Sequence, residues 1–271
     1  MASIKLFNLK AQNLKRIRTK IDGMFLQVLA RDEILERLED INRSFEAIAI
    51  VTGFPEIWSQ SLPKANLIAD SDTLDLAQKE FDLIIHAMAL HHSNDLVGQV
   101  IQSTQALKPD GLFISSCFGG QTLAELRAAL STAEAELCGG LSPRISPMAE
   151  IRDLGAILQR AGLALPVADN LNISTSYRDL RHLMLDLRDM GETNIMTSRS
   201  KSFTARTLFS RTQEIYAAEF KNPDGRLTCT FELMFLSGWA PHKNQPKPLR
   251  PGSVRKSLLA ALDEAKSYPG D

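Results

Sequence analysis

Three histidines fall within seven residues, at His86, His91 and His92. Imidazole nitrogens are common ligands of iron and zinc, so the run invites a metal centre. A facial triad also needs a carboxylate, and no acid is spaced within the run to complete one. The rings are therefore expected to be satisfied polar groups at a pocket mouth, with no metal ligand among them. Further on, Glu125, Arg127, Glu134 and Arg144 could hold and orient an arginine or a carboxylate of a protein. Read as structural groups, Glu125 and Arg127 belong on a helix surface, and Glu134 pairs only loosely with Arg127. The loop Ser142-Pro143-Arg144-Ile145-Ser146-Pro147 is stiffened by two prolines, which makes it the better place for a specific contact. Asp186, Asp189, Glu192 and Asn194 bracket a helix end at Gly191; capping explains the glycine but not the polar cluster after it.

The elements that must position these groups can be traced along the chain. Met24 to Ile41 carries apolar residues at three- and four-residue spacing and reads as an amphipathic helix. AIAIVTG (47–53), NLIAD (66–70), FDLIIHA (81–87) and LFISSCF (112–118) are short apolar runs suited to strands buried on both faces, which implies a parallel sheet. Asn94 to Leu107 reads as a helix opened by Asn94 or Asp95, with Lys108-Pro109-Asp110-Gly111 as the turn that stops it. Helices are also expected over 122–137, from a Ser146 cap to Gly162, over 177–190 and over 203–220. Leu163–Val167 and Leu227–Leu236 return to the sheet. The expected organisation is an N-terminal helical segment (1–45), an α/β domain (46–171 and 222–240), a helical insert (172–221) and a basic, proline-rich tail (241–271).

With 271 residues and 44% hydrophobic content the chain can bury a full core. Lys+Arg 31 against Asp+Glu 32 leaves no global field to favour nucleic acid. Cys117, Cys138 and Cys229 form neither a CxxC pair nor a zinc pattern, so a reducing cytoplasmic location is expected. No apolar run is long enough to span a bilayer. The opening segment carries Lys5, Lys10, Lys15, Arg16, Arg18 and Lys20 without an acid, and is expected to be a solvated basic helix. It and the basic tail leave room for peripheral membrane association.

The order FDLII, helix, LKPDGLFI is similar to the fourth and fifth strands of class I methyltransferases. This implies an α/β, Rossmann-like fold with a mostly parallel sheet, helices on both faces and a helical cap. More specific are Phe118-Gly119-Gly120-Gln121-Thr122-Leu123-Ala124-Glu125-Leu126-Arg127, the run from Gly139 to Pro147, Asp186 to Asn194, Thr230-Phe231-Glu232 and Gly238-Trp239-Ala240-Pro241-His242. Together they resemble the methyltransferase-like assembly factor of respiratory complex I and its bacterial relatives of the biotin-synthesis (BioC-like) type. The similarity runs from Leu6 through nearly the whole chain, so a cleaved transit peptide is not expected. The resemblance implies S-adenosylmethionine as cofactor and, as partner, a subunit of NADH:quinone oxidoreductase, acted on during assembly by methylation or arginine hydroxylation. The alternative is a catalytically inactive pseudo-methyltransferase that serves as an assembly chaperone.

Against that family the nucleotide half departs from the pattern. The usual D-x-G-x-G after the first strand is here Ile50-Val51-Thr52-Gly53-Phe54-Pro55-Glu56, with one glycine and no acid. Phe54 to Ala65 has room for one helix and no additional strand. Either NLIAD is the family's third strand, the second strand having been deleted with its ribose-binding acid, or NLIAD has moved into the second slot and Asp70 serves the ribose; deletion is favoured. After the fourth strand the relatives read closer to S-x-L-S-L-H-W-V-N-D. His91, Asn94 and Asp95 match, while His86 replaces a serine and His92 a tryptophan. Cofactor contacts are expected at Thr52, Gly53, Asp70, Ser71, His86, Met88 and His91. The catalytic group stays open among His91, Glu125 and Arg144.

Overall fold

In the computed structural model, which describes residues 5–246, the apolar runs build a six-stranded sheet. The strands are β1 (Ile48–Thr52), β2 (Asn66–Ala69), β3 (Phe81–Ala87), β4 (Leu107–Phe118), β5 (Ala164–Tyr177) and β6 (Leu227–Trp239), in spatial order β2-β1-β3-β4-β6-β5. β2, β1, β3 and β4 are parallel, and β6 and β5 add an antiparallel edge. The helices are α1 (Leu9–Arg16), α2 (Phe25–Asp40), α3 (Pro55–Trp58), α4 (Leu96–Ala106), α5 (Ala124–Cys138), α6 (Ile151–Arg160), α7 (Leu180–Asp189) and α8 (Arg206–Glu219).

Alternation along the strands divides the core into two layers. Ile84, Phe113, Cys117 and Met234 face Val100 of α4 and Leu154 and Leu158 of α6. Ile85, Ile114, Phe231 and Phe235 face the larger layer, formed by α2, α3, α5, α7 and α8 through residues such as Ile34, Trp58, Ala129, Leu183 and Tyr216. The fold is thus the Rossmann-like α/β arrangement expected, with helices on both faces. The compact unit ends at Pro241.

β2 pairs directly with β1, from Ala49↔Asn66 to Thr52↔Ala69. In a doubly wound sheet the place beside the first strand belongs to the second. β2 thus takes the place beside the first strand, with Asp70 after its carboxyl end. A sheet that loses its second strand and keeps its third brings that strand to the same place, so both readings of NLIAD lead to this pairing. Four residues of β2 suffice there because the sheet continues no further on that side.

Other local expectations also shift. Lys108–Gly111 lies inside β4, with Leu107 paired to Phe81 and Leu112 to Leu83, so the turn signal produces a bulge with Asp110 at φ 65°. α6 starts after Glu150 and not at Ser146, because its buried face begins only at Leu154. β5 runs unbroken across residues 171 and 172, since it follows β6 for that strand's entire length, and helix resumes at Leu180. The opening helix α1 is not merely solvated: its last turn points Lys15 and Arg16 inward. The basic tail beyond residue 246, with Arg250 and Lys256, lies outside the described residues.

Candidate functional site

Ligands of open α/β sheets gather at the carboxyl ends of the strands. Here that edge holds the turn after β1, the loop after β3 and the run Phe118–Leu123 after β4. The β1 turn is occupied by the protein itself. Arg16 donates from both terminal nitrogens to the two Asp70 oxygens at 2.6 Å, and its guanidinium carbon stands 5.2 Å from the Phe54 ring centroid. A Cβ built on Gly53 would lie 2.1 Å from that carbon. Only a residue without a side chain leaves the guanidinium this space. The Arg16 and Asp70 side chains are 14% and 8% exposed, a desolvated pair.

S-adenosylmethionine would need open room beside Gly53 and a free carboxylate after β2. Arg16 takes both, and the cavity lined by Thr52 and Met88 holds only about 10 Å³. As arranged, these residues do not fit that cofactor. Ser71 turns its hydroxyl to the Thr73 carbonyl. His86, fully buried on β3, meets Gln99 Oε1 at 2.9 Å through Nε2, and burial pushes its pKa down to about 4. Met88 is buried at φ 48°. Of the seven expected cofactor contacts, Gly53 and Asp70 converge on Arg16, while Ser71, His86 and Met88 serve local structure.

A second cavity, of about 370 Å³, opens beside the loops after β3 and β4. Phe118, Leu123, Phe209 and Phe231 give it apolar walls, and His92, Glu192 and Asn194 give it a polar end. Leu123, at φ 58°, turns the chain from β4 into α5 and presents its side chain there. Lys15 also lines the cavity and donates to the Asn194 carbonyl; burial, then Arg199 and Arg18, lower its pKa to about 8.

At the polar end the structure supplies the acid that the histidine run lacked. Glu192 lies 101 positions beyond His91 and reaches it through Oε2 at 3.3 Å from Nε2, with His92 Nε2 at 3.8 Å. Burial alone would raise the Glu192 carboxyl, but His91 beside it and Arg16 behind it outweigh that, and it stays below the usual carboxylate value. His92 is pushed down to about 3 by burial and by His91, so its ring is neutral. His91, His92 and Glu192 place one ligand atom each within 4.8 Å of one another, the one such cluster of three among the described residues.

The other two catalytic candidates are tied to the scaffold. Glu125 is not a free helix-surface group: it accepts from the Thr230 amide at 3.1 Å and from its hydroxyl at 2.5 Å, which locks α5 to β6. Glu134 is buried and pairs with Arg144 at 2.8 Å, while also accepting from the amide and hydroxyl of Ser142. This clamp holds the 142–147 loop against α5, with Arg144 still facing the cavity and donating to Thr204. Arg127 donates to the carbonyls of Gly120 and Thr122 and not to Glu134. Sequence reasoning missed Arg16 as the occupant of the β1 turn, and Gln12 and Gln27 as partners of His92 and Glu192. For Glu192 a signal existed, in the polar cluster that capping left unexplained.

A methyltransferase-domain family model matches residues 23–115. The mitochondrial arginine-hydroxylase NDUFAF5 of Mus musculus is 37% identical over 232 residues, 85% of this chain and 67% of that protein. Its counterpart in Danio rerio is 37% identical over 84% of this chain and 71% of its own length. A malonyl-[acyl-carrier protein] O-methyltransferase of Xylella fastidiosa (strain M23) is 31% identical over 79% of this chain and 66% of that enzyme. With a Rossmann-like sheet, a methyltransferase-domain match and this level of identity across most of the chain, the protein belongs to the methyltransferase-like family of the arginine-hydroxylase NDUFAF5.

Proposed function

We propose that this chain acts on a subunit of NADH:quinone oxidoreductase during assembly, by taking one arginine side chain of that subunit into the 370 Å³ cavity for covalent modification. The observation that carries the reading is the polarity gradient of the cavity. Phe118, Leu123 and Phe231 line a path for an apolar stem, and the Glu192 carboxylate at its end is an acceptor for a polar head. An arginine side chain has that profile: three methylenes ending in a planar donor. The relatives named arginine-hydroxylase support the choice of side chain. S-adenosylmethionine, and with it methyl transfer, requires Arg16 to withdraw from Gly53 and Asp70.

The same reading places the chain in a reducing, cytoplasmic setting, supported by three free cysteines. No helix of the described residues is long and apolar enough to cross a membrane. Peripheral contact is supported by exposed Leu14, Ile17 and Ile21 beside Lys10, Arg18 and Lys20 on the opening segment.

The test is mass spectrometry of the oxidoreductase subunits from cells with and without the chain. An arginine that gains one oxygen, or one methylene, only when the chain is present supports the reading. The modification should fail with Phe209→Ala, which removes a half-buried aromatic wall of the cavity. Identical arginine-containing peptides from both cells would overturn it.

A further inference from the structure

The polar end of the cavity carries more than substrate acceptors. We propose that His91, His92 and Glu192 form a binding site for one divalent first-row transition-metal ion. Two imidazoles and one carboxylate, with further positions left for water or substrate, make a donor set that such ions favour. His91 Nε2 and His92 Nε2 both face the same carboxylate oxygen, Glu192 Oε2, at 3.3 and 3.8 Å. These are separations that a small inward adjustment turns into ligand-to-ligand spacing around one ion. The side chains are 0%, 8% and 10% exposed, so three ligand atoms converge where water is scarce.

The far atoms of two of these side chains are held from behind, as metal ligands require if they are not to rotate away. Gln27 Nε2 donates to Glu192 Oε1 at 3.4 Å, leaving Oε2 for the ion. Gln12 Nε2 sits 3.3 Å from His92 Nδ1, and a half-turn of its amide brings the oxygen round to accept the Nδ1 proton when Nε2 ligates. Phe118 N–H approaches His91 Nδ1 at 3.4 Å, a long contact that His91 gives up when its proton moves to Nδ1. His92 and Glu192 both line the cavity, so the remaining coordination positions open toward the stem path described above.

Sequence makes the site particular to this chain. His91 matches the related pattern, whereas His92 stands where a tryptophan is expected. The carboxylate comes from the cluster after Gly191 that helix capping did not explain. The ion and a substrate guanidinium share Glu192, so the two readings meet at that side chain. The titration still separates them, because its probe is the ion alone and its failure leaves arginine modification standing.

The experiment is titration of the full chain, purified without a polyhistidine tag and stripped with chelator, by Co²⁺ and then Zn²⁺. Calorimetry gives stoichiometry, and the visible absorption of bound Co²⁺ reports nitrogen and oxygen ligation. One Co²⁺ per chain is expected, displaced by Zn²⁺, with affinity weakened roughly 100-fold or more by Glu192→Gln and by His92→Gln. His182→Gln, on the exposed side of α7, should leave it unchanged. Circular dichroism identifies any variant that fails to fold, in which case the other decides. No stoichiometric uptake by folded protein, or uptake unaffected by a folded variant of the trio, would overturn the site.

Discussion

Replacing Arg16 with alanine tests whether the guanidinium is resident beside Gly53. The change leaves Asp70, 8% exposed, with no bidentate partner in a desolvated turn. Removing one member of a buried pair typically costs about 3–5 kcal/mol, mostly as the penalty on the charge left behind. For a chain of this size each kcal/mol moves Tm by roughly 2–4 °C, so a fall of roughly 6–20 °C is expected. Arg16→Ala with Asp70→Asn removes the stranded charge and should recover part of the loss, giving a coupling of at least about 1 kcal/mol in the double-mutant cycle. Urea denaturation of the four proteins measures it. Calorimetry with S-adenosylhomocysteine supplies the second readout: the Arg16→Ala protein should bind more tightly than the unaltered chain. A change in stability below about 0.5 kcal/mol, additive single effects, or low-micromolar binding by the unaltered chain would refute the account of Arg16 as occupant.

Gly53→Ala should mimic this change at lower cost, about 1–3 kcal/mol by urea denaturation, because its Cβ would meet the Arg16 guanidinium carbon at 2.1 Å. His86, with a folded pKa near 4 against an ordinary 6.5, binds its proton later than the unfolded chain does. Stability is therefore lost as pH falls through that window, by about 2 kcal/mol between pH 7 and pH 5, and His86→Gln should lose correspondingly less over the same range. Glu134 is pushed up by burial but pulled further down by Ser142 and Arg144, so its carboxylate stabilises the fold above the ordinary value of 4.5 and stops doing so as pH drops through the lowered folded value. Glu134→Gln should cost about 2–3 kcal/mol at pH 7, with the difference shrinking in acid, as followed by thermal denaturation across pH. Phe231→Ala, at a position with no exposed surface, should lose about 3–5 kcal/mol by urea denaturation.

Much of the scaffold was legible because it is written in local periodicity. The four parallel strands appear as runs such as FDLIIHA, and the spacing of Met24 to Ile41 fixes α2 to within a residue at each end. Where local signals misled, tertiary pairing had overridden them. Asp110 does adopt a turn conformation, yet Leu107 and Leu112 rejoin the same neighbour on either side. The site was less legible because its partners are far apart in sequence. Arg16 meets Asp70 across 54 positions and Glu192 meets His91 across 101, and no spacing rule connects them. Arg16 was readable only as one more cation in a basic run, and β2 as a strand whose place in the sheet its four residues do not specify.

The antiparallel pair of β5 and β6 carries a consequence for how such a chain can change. β6 pairs with β4 only from Leu233 onward, whereas β5 accompanies it back to Leu227, so the stretch with Thr230 and Phe231 projects past the parallel strands as a two-stranded ribbon. That ribbon supplies Phe231 to the cavity wall and the Thr230 anchor for Glu125, at the opposite flank from β2. The Phe231 wall and the Thr230 anchor therefore do not depend on strand pairing at the nucleotide flank, whereas the polar end of the chamber stays tied to it through Lys15 and Arg16 of α1.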